Sequence, residues 1–163
     1  TFPIKNLKLE LTGFIVTGED LIITVPMQGL QNAGKVSNRG IEFSANANPA
    51  ENLALSLTYS YTHMKYPVYA TPRHNFFVSS NYQWKKFRAM LSIQHINHLD
   101  TDPSAGKESF ENYTLVNLKV SYQLKKWCEI FTSTENLLNQ KYENNIYYPL
   151  PGITTFGGIK MKF

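Results

Sequence analysis

Four histidines, His63, His74, His95 and His98, and three aspartates, Asp20, Asp100 and Asp102, are among the residues of this 163-residue chain that could hold a metal or move a proton. His95 and His98 stand three apart on or beside an extended segment. Alternation sends them to opposite faces, which disfavours a shared metal. The aspartates fall in segments expected to be loops, where an Asp and His arrangement could serve a hydrolase. No nucleophile elbow, paired-carboxylate motif or phosphate-binding loop accompanies them, and solvated loop carboxylates account for them more simply. Cys128 is the single cysteine. It excludes an intrachain disulfide and any cysteine-based metal spacing, and it reads as a small apolar residue that is buried or faces lipid. Neither an enzyme nor a cofactor is expected.

Composition narrows the setting. The net charge is +4, but lysines and arginines are scattered along the chain, so no patch follows a phosphate backbone and nucleic acid is not an expected partner. Hydrophobic residues make up 42% of the chain, ten Tyr and ten Phe among them, yet the mean hydropathy is −0.30. No run approaches the roughly 18 apolar residues of a spanning helix, so a membrane protein with this sequence has to be a barrel. The chain opens Thr1-Phe2-Pro3, with no initiator Met or signal peptide. That suggests processing or a piece of a longer protein, and a piece is the expectation.

These side chains need elements to carry them, and the sequence spells strands. Over residues 53–61, Leu53, Leu55, Leu57, Tyr59 and Tyr61 alternate with Ala54, Ser56, Thr58 and Ser60. An unbroken period of two is a strand with unlike faces. Ile41, Phe43, Ala45 and Ala47 repeat it, as do Val116, Leu118, Val120, Tyr122 and Leu124. Weaker versions cover 7–17, 74–84, 87–96 and 127–134, and a last strand sets Ile159, Met161 and Phe163 against Lys160 and Lys162. The expectation is an all-β, antiparallel meander of roughly eight strands, each near the 9 to 11 residues of a tilted membrane strand.

Tight connections at 48–52, 84–87 and 124–127 alternate with longer ones at 18–32, 65–72, 97–112 and 137–152. Outer-membrane barrels have this asymmetry, with short periplasmic turns and long extracellular loops, which would put both chain ends in the periplasm. Trp84, Phe87 and Trp127 lie by the short turns, and Tyr66, Tyr69, Tyr113, Tyr142, Tyr147 and Tyr148 by the long loops, as two aromatic girdles would. Glu42, Ser44, Asn46, Asn117, Lys119 and Gln123 would line a lumen. Loops on a rigid scaffold usually carry recognition. His98, Tyr142, Asn144, Asn145, Tyr147 and Tyr148 are therefore the ligand-binding candidates, while Arg39 and Asn136 are expected to set turn geometry or register.

Three stretches together resemble a known family. Asn32-Ala33-Gly34-Lys35-Val36-Ser37-Asn38-Arg39-Gly40-Ile41-Glu42 is similar to the N-x-G-x-x-x-x-G-x-E strand of TonB-dependent outer-membrane receptors, and Tyr113 to Asn117 to their Y-x-x-x-N strand. Glu135-Asn136-Leu137 with Tyr142, then Pro151-Gly152, then 155–163, resembles their closing E-N-L-x-x-x-x-Y segment, loop exit and terminal strand. Met161 stands where the family often has an aromatic, and Phe156 near a position that is often polar. The resemblance implies a fragment of an about 22-stranded barrel, with the plug domain and energy-coupling box outside residues 1–163. It also implies uptake of a metal chelate (iron siderophore, heme or cobalamin) powered by the TonB protein acting through that plug. Gly158, Met161 and Phe163 would be the signal read by the barrel-assembly machinery, and outer-membrane lipid would surround the strands. Two alternatives stay open: a self-contained eight-stranded barrel with a structural or adhesion role, and an outer-membrane hydrolase. On an unclosed sheet, exposed strand edges would tend to pair with other chains.

Overall fold

The computed structural model describes residues 5–20, 22–25, 29–32, 35–64, 70–101 and 110–162. Within them the regular elements are β1 (Lys5–Gly18), β2 (Ile22–Val25), β3 (Gly29–Asn32), β4 (Val36–Ala50), β5 (Leu53–His63), β6 (Pro72–Trp84), β7 (Phe87–Asp100), β8 (Phe110–Lys125), β9 (Cys128–Glu135) and β10 (Thr154–Met161). Eight of these form one antiparallel sheet in the order β1-β4-β5-β6-β7-β8-β9-β10, and β2 pairs only with β3. The expected connection at 18–32 thus contains a small hairpin of its own, because Ile22-Ile23-Thr24-Val25 has strand-forming residues and Gly29 takes φ 76 where the chain reverses.

Two-residue turns at Glu51-Asn52, Lys85-Lys86 and Lys126-Trp127 join β4 to β5, β6 to β7 and β8 to β9. Lys85 adopts φ 53, the left-handed backbone that two-residue hairpins favour because its twist matches that of the strands. The connection expected at 97–112 is shorter than its sequence suggested: β7 runs on to Asp100 and β8 begins at Phe110. β1 and β10 are the two edges and do not pair with each other. The described strands form an open arc, which corrects the alternative of a self-closed eight-stranded barrel.

Register places the two residue classes on opposite faces. Leu57 is flanked by Ala45 and Val78, and Tyr59 by Phe43 and Phe76. One step along, Ser56 lies between Asn46 and Ser79, and Ser60 between Glu42 and Asn75. The apolar face has no protein layer over it: Leu11 is 74% exposed, and Leu9, Ile15, Ile41, Leu91 and Ile159 are exposed with it. In water such a surface would be an aggregation site, whereas hydrocarbon solvates it at no cost. Cys128, opposite Met161, is buried at the tight-turn end of this face. The polar face is concave, with a recess of about 470 Å³ lined by Asn46, Ser56, Phe77, Asn81, Asn117 and Lys119 among others.

Two glycines on the polar face have a steric reason. Gly40 pairs with Phe14, and an added Cβ would overlap that ring and the Tyr61 carbonyl. Gly158 pairs with Phe131, whose ring would lie 2.9 Å from an added Cβ, and the Lys119 ammonium sits 4.8 Å from the same ring. A phenylalanine thus covers a cross-strand glycine near each edge of the arc, where it shields backbone that glycine leaves bare. Gly158→Val in the full-length protein should cost about 1–3 kcal/mol of packing strain, read as a lower temperature for loss of heat-modifiable mobility on a gel. Phe131→Ala in the same chain should restore most of it. Failure of that second change would show that Gly158 acts through something other than the ring.

Candidate ligand-binding loops

The site is organised by a bulge in β7. Ile96 pairs with Tyr113 and Leu99 with Glu111, so Asn97 and His98 together face the single residue Asn112. His98 takes up the extra length at φ 58, and its backbone N–H donates to Asn112 Oδ1 at 2.7 Å. A bulge resets alternation and re-aims the side chains beyond it. Here it brings Leu99 to the side of Ile96 and Tyr113, and these three make a small core against which Leu115 and Tyr142 pack. His98 itself stacks on Phe110 with ring centroids 3.4 Å apart, and the Arg73 guanidinium lies 5.7 Å from that ring.

Three of the long connections meet on this core. Ala70 N–H donates to the Asp100 carbonyl at 3.2 Å, and Ile146 N–H to the Thr101 carbonyl at 3.2 Å. The Tyr113 hydroxyl donates to Asn144 Oδ1 at 2.9 Å, and its ring packs at 4.5 Å from that of Tyr142. Burial, reinforced by the nearby carboxylate of Glu135, raises the Tyr142 hydroxyl above the ordinary phenol range.

The neck of the last loop is closed by one buried asparagine. Asn136 is 4% exposed and takes φ 51 directly after β9. Its backbone N–H donates to Asn117 Oδ1 at 2.9 Å. Its side-chain carboxamide accepts from Gln140 N–H at 2.8 Å and donates to the carbonyls of Gln140 at 2.8 Å and Pro151 at 3.2 Å. Asn139 braces the exit, accepting from Ile153 N–H at 3.0 Å against Gly152, where a Cβ would strike its oxygen. The E-N-L segment, the Y-x-x-x-N strand and the Pro-Gly exit, separate in sequence, are thus one hydrogen-bonded knot.

Above the knot, 142–150 doubles back on itself. Leu150 N–H donates to the Tyr142 carbonyl and Tyr147 N–H to Glu143 Oε2, with Tyr147 at φ 68. The candidates therefore separate into two groups. His98, Tyr142 and Asn144 are partly buried in the base, whereas Asn145, Tyr147 and Tyr148 stand at the tip, the two tyrosines 83% and 73% exposed. The remaining histidines do not join them: His74 Nδ1 is 2.9 Å from the Tyr59 hydroxyl and His95 Nδ1 2.9 Å from Thr114 Oγ1. Among the described residues no three His, Cys, Asp or Glu side chains gather as a metal would need. Of the two residues expected to set turn geometry or register, Asn136 lies in the turn after β9 and Arg39 lies within the ladder of β4, opposite Ile15 and His63. Met161 is half exposed on the apolar face. Phe163, Asp102, Tyr66 and Tyr69 lie outside the described residues. The bulge at His98 had no clear signal in the sequence, while the run Asn136, Asn139 offered one, since asparagine tolerates the left-handed backbone best.

The family described as TonB dependent receptor-like, beta-barrel, matches residues 2–137. No curated protein matches the chain. Among solved structures it is similar to the closed form of the ferric-catecholate import receptor Fiu from K12 E. coli, with a TM-score of 0.75 and 22% identity over 98% of this chain and 26% of that one. It is also similar to the copper transporter OprC, with a TM-score of 0.74 and 14% identity over 96% of this chain and 29% of that one. The ferripyoverdine receptor of the Pseudomonas aeruginosa outer membrane gives 0.73 and 16% over 96% of this chain and 25% of that one. At these identities the likeness is one of fold, and the chain spans under a third of each structure.

Replacing Asn136 by Ala removes three hydrogen bonds at the neck and leaves buried carbonyl and N–H groups without them, a loss of about 2 kcal/mol. Protease cleavage within 137–152 of the full-length protein should speed up by at least about tenfold. Unchanged cleavage would show that the knot does not hold the loop.

Proposed function

The chain belongs to the TonB-dependent receptor-like β-barrel family, and from that premise we propose that it forms wall and extracellular loops of an outer-membrane receptor importing a metal chelate. The family implies the bacterial outer membrane, and an apolar sheet face with no protein over it suits that setting. The short turns would be periplasmic and the long loops extracellular, with both chain ends in the periplasm. Gly158, Met161 and Phe163 would present the terminal strand to the barrel-assembly machinery.

The observation that carries the reading is the exposed pair Tyr147 and Tyr148 on a loop whose base is packed and hydrogen-bonded. Rigid aromatics on an ordered support suit a bulky, partly aromatic chelate, because little entropy is lost on capture and stacking adds to hydrogen bonding. Asn145 adds an amide beside them, and His98, Tyr142 and Asn144 hold the support. Ferric-catecholate import, ferripyoverdine binding and copper transport are named for similar structures. Those names favour an iron siderophore over heme or cobalamin. Binding at the loops would be followed by loop closure and by plug movement driven by TonB from the periplasm, with plug and coupling segment supplied by other parts of the receptor. No bond is made or broken in such a cycle.

Titrating the full-length receptor with ferric catecholate and hydroxamate siderophores, heme and cobalamin should find one class that binds. Tyr147→Ala with Tyr148→Ala should weaken that binding by at least about tenfold, as expected where aromatics anchor a ligand. Failure of every chelate to bind would sink the transport reading, and full affinity in the double variant would remove the tyrosines from it.

A further inference from the structure

The apolar face carries a feature that chelate uptake does not use. Gly13 pairs with Ile41, and Ile41 with Tyr61, so all three lie on that face in one row across β1, β4 and β5. No heavy atom lies within 4 Å of where a Gly13 Cβ would stand. A groove of about 600 Å³ opens there, walled by Ile15, Ile41 and Tyr61, with Gly13 and the Gly40 backbone, backed by Phe14, along its floor. Arg39 stands at its mouth, paired across the ladder with His63, and both are exposed.

Arg39 is eleven residues along β4 from Ala50, the residue at the tight turn. At about 3.3 Å per residue and a tilt of about 40°, this is about 28 Å, slightly more than the apolar band of about 25 Å. Arg39 and His63 therefore stand at headgroup level on the long-loop side, and the groove runs down from them into the hydrocarbon. A guanidinium on a lipid-facing wall is tolerated at that level because it can reach anionic headgroups, and its planar fork matches a phosphate.

We propose that Gly13, Ile15, Ile41 and Tyr61 with Arg39 and His63 form a docking slot for a phosphate-bearing lipid of the outer leaflet. An acyl chain lies over the glycine floor and the phosphate meets the two basic side chains. The assignment rests on the membrane orientation proposed above. The slot is separate from the chelate loops, so its occupant is a structural lipid.

Native mass spectrometry of the full-length receptor with lipid A and with its dephosphorylated form tests this. The native receptor should retain lipid A at least tenfold better than the dephosphorylated lipid. Arg39→Ala with His63→Ala should remove that preference, and Arg39→Lys should keep most of it. Gly13→Leu places a side chain in the groove, its Cβ with no heavy atom within 4 Å, and should reduce retention of lipid A about tenfold while chelate binding stays at the native level. Equal retention of the two lipids by the native receptor, or native retention by Gly13→Leu, overturns the slot. A receptor that binds lipid A in this pattern but no chelate overturns the transport reading alone, so the two proposals fail separately.

Discussion

Backbone N–H and C=O groups in hydrocarbon have no water to bond, and most of this structure follows from that single constraint. Each strand from β4 to β9 has a neighbour on both sides, so its ladder is satisfied twice over. Only period-two sequences serve such a sheet, because each side chain must suit either lipid or lumen. The two-residue turns follow as well, since they reverse the chain with the least irregular backbone. β1 and β10 are the places where the constraint goes unmet within the described residues. Their outward backbone groups require further strands, in keeping with a chain that spans under a third of the length of the proteins it resembles in fold.

Beyond the bilayer the constraint relaxes, and side chains take over the work of the ladder. Asn136, Asn139 and Asn112 satisfy loop backbone that has no strand beside it, and each does so at or opposite a residue in the left-handed region. This makes the loop bases rigid without regular structure. Rigidity at the base and exposure at the tip are compatible here because the polar groups of the base are consumed internally, while Tyr147 and Tyr148 stand exposed at the tip.

The two faces are likewise solved by different chemistry. On the lumen side, phenylalanines over glycines seal gaps that polar neighbours cannot fill. On the lipid side, Gly13 leaves a gap unsealed, below the paired basic residues Arg39 and His63. A glycine covered and a glycine left open are opposite solutions, separated by whether the missing side chain faces an aromatic neighbour or lipid.

Much of the fold could be seen in the residues alone. The alternation of Leu53 to Tyr61 fixed which side chains share a face, and the order of short and long connections gave the meander, because strand period and turn length are local properties of the chain. The motif residues Gly40, Asn117, Asn136 and Gly152 were visible as a resemblance without a reason. Only the tertiary structure supplied it, by bringing Asn117 and Pro151 to Asn136 and Phe14 to Gly40. It also decided the bulge at His98, which depends on how β7 meets Asn112 across the ladder, and the unpaired edges of the arc. Strand faces are set by neighbours in sequence, whereas bulges, knots and grooves are set by residues that meet across strands, and no single strand encodes its partner.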